Sequence, residues 1–262
     1  MGKVYLIGAG PGDPELLTVK AVRILAAANV VLHDSLVSHE VLELAAPGAE
    51  IIDVGKRAGQ KLLTQDEINS LLVAYAGKHE VVVRLKGGDP LLFGRAAEEI
   101  ESLRFARVSF EVIPGISAAF GAAAAAGFSL TDRRIASQVL FTTFSRGESV
   151  KSLGWREVTA DTTLAIYMPG TDYAEVASRL LDAGLSSETP CALISQATRP
   201  EQKVRWSSIA ALFDEEKLPA PAILIVGRVA TQQVQEVRLR LSMELFGSSG
   251  AVEPQIRFLK KN

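Results

Sequence analysis

The stretch Val81–Arg95 reads VVVRLKGGDPLLFGR. Three successive valines, with Leu85 beyond Arg84, form a short run of high strand propensity, suited to a strand buried on both faces. The run breaks at Gly87-Gly88, presents a carboxylate at Asp89 and is stiffened by Pro90, which biases Asp89 toward extended backbone. If Val81–Leu85 is a central parallel strand, this turn sits at its carboxyl end, where open α/β sheets bind ligands.

The flanking sequence repeats a strand–helix rhythm. Val4–Ile7, Val30–Leu32 and Ile51–Val54 read as strands before the central one, and Phe110–Ile113 as a fifth after it. Thr64 followed by Glu67 predicts a capping box, with Ile68, Leu71, Leu72 and Tyr75 as the apolar stripe and Gly77 as the stop. Ala97, Ile100 and Leu103 repeat at helical spacing after Gly94. The alternation predicts parallel pairing with covering helices. A second module begins near Pro114-Gly115, through the small-residue helix around Ala118–Ala126. Val139–Thr143, Leu164–Met168, Cys191–Ile194 and Ile223–Val226 supply its strands, Tyr173–Asp182 its helix, and Trp206–Phe213 a separating segment. The expected division is 1–115, 116–235 and an extension at 236–262, with a break at Gly247–Gly250.

Composition narrows the functional classes. The chain has 262 residues, 48% of them hydrophobic and 6% aromatic, which suits an aliphatic core. A formal charge of −2 gives no bulk attraction to nucleic acid or an acidic membrane. One cysteine, Cys191, precludes an intrachain disulfide, and histidines at 33, 39 and 79 do not suggest a metal cluster. The N-terminus reads as a strand rather than a secretory signal, and the alanine run is too short to span a bilayer. A cytoplasmic protein is the expectation.

Gly8, Gly10 and Gly12, with Asp34 near the next strand end, invite a dinucleotide reading. The fingerprint needs G-x-G-x-x-G opening into a helix. Here the third glycine comes one position early, and Pro11 lacks the N–H a phosphate nest would use. An ordinary tight turn and another small-ligand site therefore stand beside nicotinamide or flavin binding.

Taken in order, VYLIGAGPGDPELLT, VVLHDSLV, VGKRAG, VVVRLKGGDPLLFGR, VIPGISAA, LAIYMPG and PAILIVGRV resemble the uroporphyrinogen-III C-methyltransferases, within the wider tetrapyrrole methyltransferases. The resemblance runs from Val4 to about Val229. It implies an α/β, two-domain tetrapyrrole methyltransferase fold, not the usual Rossmann methyltransferase fold. It also implies a homodimer and S-adenosylmethionine as methyl donor, with S-adenosylhomocysteine as product. The implied reaction is C-methylation of uroporphyrinogen III at C-2 and C-7 to precorrin-2, leading toward sirohaem or cobalamin. A sibling acting on a later precorrin and a non-enzymatic tetrapyrrole-binding protein are the alternatives.

Residue by residue, the resemblance implies cofactor contacts at Pro11, Gly87, Gly88, Asp89, Leu92, Ser117, Ala118, Met168 and Ala197, with Asp89 engaging the methionine ammonium. From composition alone, Met168 reads as core and Asp34 as a turn former. The family context makes Asp34 the general base and Lys56 a proton donor or charge-stabilising partner. For a polycarboxylate substrate, Arg84, Lys86, Arg95, Arg133, Arg134 and Arg146 are the candidate contacts, together with Lys61. Gln60-Lys61, Thr131-Asp132-Arg133 and Thr143-Phe144-Ser145 depart from the family pattern, which often has histidine in these segments. The departures fall on substrate recognition rather than on the cofactor framework.

Overall fold

The computed structural model describes residues 1–55, 63–144 and 158–231. Lys56, Lys61, Arg146, the Gly247–Gly250 break and the 236–262 extension lie outside the described residues.

Strands β1 (Lys3–Gly8), β2 (Val30–His33), β3 (Glu50–Asp53), β4 (Val81–Lys86) and β5 (Ser109–Ile113) form a parallel sheet in the order β3-β2-β4-β1-β5. Strand β4 is internal, and alternation splits its side chains between two cores. Val82 joins Val4, Leu6, Val30 and Leu32 beneath helices α3 (Gln65–Ala76) and α4 (Ala96–Phe105). Val83 and Leu85 join Ile7 and Val31 on the opposite face, against α1 (Val19–Leu25) and α2 (His39–Leu42). Burial on both faces explains the apolar run, which only Arg84 interrupts.

The capping box at α3 forms as expected, with the Glu67 amide donating to Thr64 Oγ1 at 3.2 Å and the Thr64 amide to Glu67 Oε2 at 2.6 Å. Gly77 follows the helix but keeps φ −73°, so the stop does not use the left-handed conformation expected of a glycine cap. In α4 the buried positions are Ala96, Glu99 and Leu103, whereas Ala97 is exposed. A buried carboxylate occupies the place an apolar residue would take, and the expected stripe shifts accordingly.

The second sheet has strands β6 (Gln138–Thr143), β7 (Thr162–Tyr167), β8 (Pro190–Ser195), β9 (Lys203–Ser208) and β10 (Ala222–Val226), ordered β6-β7-β10-β8-β9. Only β6 and β7 run parallel; β7–β10, β10–β8 and β8–β9 are antiparallel. The parallel pairing expected from the strand–helix alternation of the first module is what the first sheet shows, and it does not extend to this one. The short 196–202 connection cannot hold the dozen or more residues of a crossover, so β9 returns beside β8. Strand β9 also replaces part of the segment expected to separate two strands. Helix α5 (Ala118–Ala125) lays Ala119, Ala122 and Ala123 on the face of this sheet that carries Ala165, Ala192, Ile194, Ile223 and Ile225. The other face packs α6 (Tyr173–Asp182) through Val176 and Leu180 onto Leu164, Ile166 and Leu224. Both sheets lie in one compact unit, Met1–Ala230. Among the described residues no helix is long and apolar enough to cross a membrane.

Candidate functional site

The carboxyl ends of β1, β4 and β5 bring three loops together. After β4, Gly88 adopts φ +67°, a left-handed conformation that suits glycine. Its amide donates to the Gly10 carbonyl at 2.8 Å and the Gly10 amide to the Gly88 carbonyl at 3.2 Å. Gly115, in the loop after β5, packs so tightly that a Cβ there would lie 2.4 Å from the Gly88 carbonyl oxygen. Asp89 fastens the same junction: Oδ1 accepts from the Leu91 amide at 2.8 Å and Oδ2 from the Gly115 amide at 3.0 Å. Each oxygen keeps a further lone pair.

Asp34 follows β2 and accepts a hydrogen bond from the Arg84 guanidinium. Its side chain is 29% exposed. From the second sheet, Tyr167 hydrogen-bonds the Ser117 hydroxyl and accepts from the Ala119 amide at 3.2 Å, joining β7 to the start of α5. Burial raises the Tyr167 phenol above its ordinary pKa, outweighing those hydrogen bonds. Phe93 packs on the Tyr167 ring at 5.0 Å between centroids.

These groups enclose a cleft of about 190 Å³ lined from both sheets. Pro11, Gly87, Gly88, Asp89, Leu92, Ser117, Ala118, Met168 and Ala197 are all on its walls, as is Asp34. Met168 is half-exposed at the cleft rather than part of a core, its backbone at φ +48°. Phe93 on the wall also has positive φ, as do Arg95, Gln196 and Thr198, the chain neighbours of the lining residues Gly94 and Ala197. Arg199 reaches across from the second sheet to donate to the Leu36 carbonyl. It is the only cation among the described lining residues.

The candidate substrate contacts are more scattered. Arg84 and Lys86 correct the expectation of direct contact: both are 2% exposed, and their charges are committed to Glu99 and, for Arg84, Asp34. Arg95 is exposed and paired with Glu98 at 2.6 Å. Arg134 is exposed and paired with Asp132 at 2.5 Å, and Arg133 lies exposed beside it. Among the described residues, no three His, Cys, Asp or Glu side chains gather in a way that could hold a metal ion. Tyr167, Phe93, Leu36 and Arg199 were not expected in the cleft. Tyr167 and Phe93 carried a signal, each being next to a named contact, Met168 and Leu92.

The family described as Tetrapyrrole (Corrin/Porphyrin) Methylases matches residues 3–212. A siroheme synthase of Azotobacter vinelandii is 45% identical over 250 residues, covering 94% of this chain and 52% of that protein. The chain spans about half the length of the siroheme synthases it matches. A chloroplastic S-adenosyl-L-methionine-dependent uroporphyrinogen III methyltransferase of Arabidopsis thaliana is 45% identical over 234 residues, covering 87% of this chain and 63% of that one. The uroporphyrin-III C-methyl transferase of Thermus thermophilus, solved with S-adenyl homocysteine, superposes with a TM-score of 0.75 at 36% identity, covering 87% of this chain and 93% of that one.

Proposed function

The chain belongs to the tetrapyrrole (corrin/porphyrin) methylases, and on that premise we propose that it methylates carbon atoms of a reduced tetrapyrrole with S-adenosylmethionine. The substrate in this reading is uroporphyrinogen III, methylated at C-2 and C-7 to give precorrin-2. The observation that carries it is the meeting of Asp34, Asp89 and the Gly87-Gly88 turn with Met168 and Ala197 in one cleft.

The lining suits a donor of mixed character. Asp34 and Asp89 are anionic counterparts for sulfonium and ammonium groups, while Pro11, Leu92, Met168 and Ala197 offer apolar surface. When bound, S-adenosylmethionine supplies an activated methyl group on sulfur. This chain's residues then have three tasks. The Gly87-Gly88 turn and Asp89 hold the donor's methionine end, which aligns the reacting atoms. Leu92, Met168 and Ala197 keep water from the donor. Asp34 accepts the proton that the porphyrinogen framework loses, from a position other than the now quaternary ring carbon, once the methyl group has been transferred, acting as general base. Lys56 is its proposed acid or charge partner.

Arg95, Arg133, Arg134, Arg146 and Lys61 remain the proposed carboxylate contacts, by virtue of their charge. Domain boundaries near 115 and 235, a homodimer and a cytoplasmic location belong to the same reading. A later precorrin is the second reading, favoured by the departures at Gln60-Lys61 and Thr131-Asp132-Arg133. Anaerobic incubation with uroporphyrinogen III and methyl-labelled donor, followed by product mass and methyl position, separates the two. Two methyl groups at C-2 and C-7 support uroporphyrinogen III. Labelling only of a later precorrin selects the sibling activity, and labelling of neither overturns the methyltransferase reading.

A further inference from the structure

Four charged side chains join β2, β4 and α4 beneath the cleft. Arg84 Nε donates to Glu99 Oε1 at 2.9 Å, Nη2 donates to the Asp34 carboxylate, and Nη1 lies 3.4 and 3.3 Å from the Leu32 and Leu85 carbonyls. Lys86 Nζ donates to the same Glu99 oxygen at 2.8 Å. Two cations thus meet two carboxylates, and of the four only Asp34 lines the cleft. Glu99 is fully buried, and its second oxygen has no hydrogen-bond partner.

Stability explains this cluster poorly, because burying ions costs desolvation and a partnerless oxygen adds to that cost. Geometry explains it better. A guanidinium is a rigid planar fork, so fixing Nε on Glu99 and Nη1 on backbone carbonyls also fixes where Nη2 points. Asp34 sits on the far prong, at the edge of solvent.

We propose that Arg84 is a positioning residue that aims the Asp34 carboxylate into the cleft, with Glu99 and Lys86 as its anchor. This rests on reading Asp34 as the base. The test is a double-mutant cycle on the full chain with Asp34→Asn, Arg84→Lys and the pair, recording kcat with uroporphyrinogen III and the Kd for S-adenosylhomocysteine. A lysine keeps the charge but cannot span both carboxylates. Arg84→Lys should lower kcat by about tenfold to a hundredfold, as expected for a misplaced reacting group, while the Kd stays within about twofold. The double variant should be no slower than Asp34→Asn alone. A double variant slower by the full factor of Arg84→Lys would show that Arg84 acts independently of Asp34 and overturn the proposal. So would wild-type kcat in Arg84→Lys with Asp34→Asn impaired, leaving the base reading intact. Wild-type kcat in Asp34→Asn overturns the base reading and the proposal with it. If Arg84→Lys does not fold, Glu99→Gln enters the same cycle, since it loosens the anchor while leaving Arg84 in place, and the same outcomes decide.

Discussion

Gly10 and Gly88 face each other at the base of the cleft, each amide bonded to the other's carbonyl, at 3.2 and 2.8 Å. This two-residue antiparallel bridge lies just past the parallel pairing of β1 with β4 and ties the first glycine loop to the Gly-Gly-Asp-Pro turn. The first loop therefore works as a brace for the second, which accounts for glycines that do not fit a dinucleotide fingerprint.

Gly88→Ala has room for its methyl group, whose nearest neighbour is the Ala118 nitrogen at 3.6 Å, but must hold φ +67°. It should cost roughly 1–2 kcal/mol in urea unfolding. Gly115→Ala places Cβ against backbone at 2.4 Å and should cost more. The reverse order would show that the loops yield where they look tightest.

Asp89→Asn puts an amide where a carboxylate accepts from two backbone N–H groups. It should raise the Kd for S-adenosylmethionine about tenfold or more, the effect of one lost charge-assisted hydrogen bond. Calorimetric titration gives the number directly, and an unchanged Kd removes Asp89 from the donor site.

Tyr167→Phe deletes the hydroxyl that joins Ser117 and the Ala119 amide to the second sheet. A loss of about 1 kcal/mol in stability is expected, together with weaker donor binding through the loosened start of α5. Unfolding and binding measured on the same variant check both, and wild-type values would mean that the sheets are joined by other contacts.

Glu111 on β5 pairs with Lys3 at 2.7 Å and with Lys20, and these two ammonium groups hold its carboxyl down at about 2. A carboxyl lower in the folded than the unfolded state stabilises above its ordinary value of 4.5, and that stabilisation is lost as pH falls toward 2. Glu111→Gln should flatten this part of the acid limb in pH-dependent urea midpoints. The effect should shrink in high salt because the side chain is 30% exposed. A wild-type acid limb in the variant would assign acid sensitivity to other carboxylates.

Legibility in the sequence followed local chemistry. The buried run Val81–Leu85, the Thr64–Glu67 capping box and the Tyr173–Asp182 helix depend on neighbours in the chain, and all were readable. Strand β9, KVRWSS, was not, because an edge strand alternating charged, apolar and polar residues resembles a solvated segment. Arg84 and Lys86 misled for a related reason: charge beside a glycine turn reads as surface until Glu99, distant in sequence, is brought beneath it. Arg199 enters the cleft through the 196–202 connection, whose path depends on antiparallel pairing that the strand–helix rhythm did not announce.

The most direct measurement is a crystal structure of the full chain grown with S-adenosylhomocysteine. The expected density lies between the Gly87–Asp89 turn and Met168 with Ala197, with the homocysteine end toward Asp89 and the sulfur on the side of Asp34. A fully occupied ligand elsewhere, with this cleft filled only by solvent, would contradict the assignment of donor site and base together.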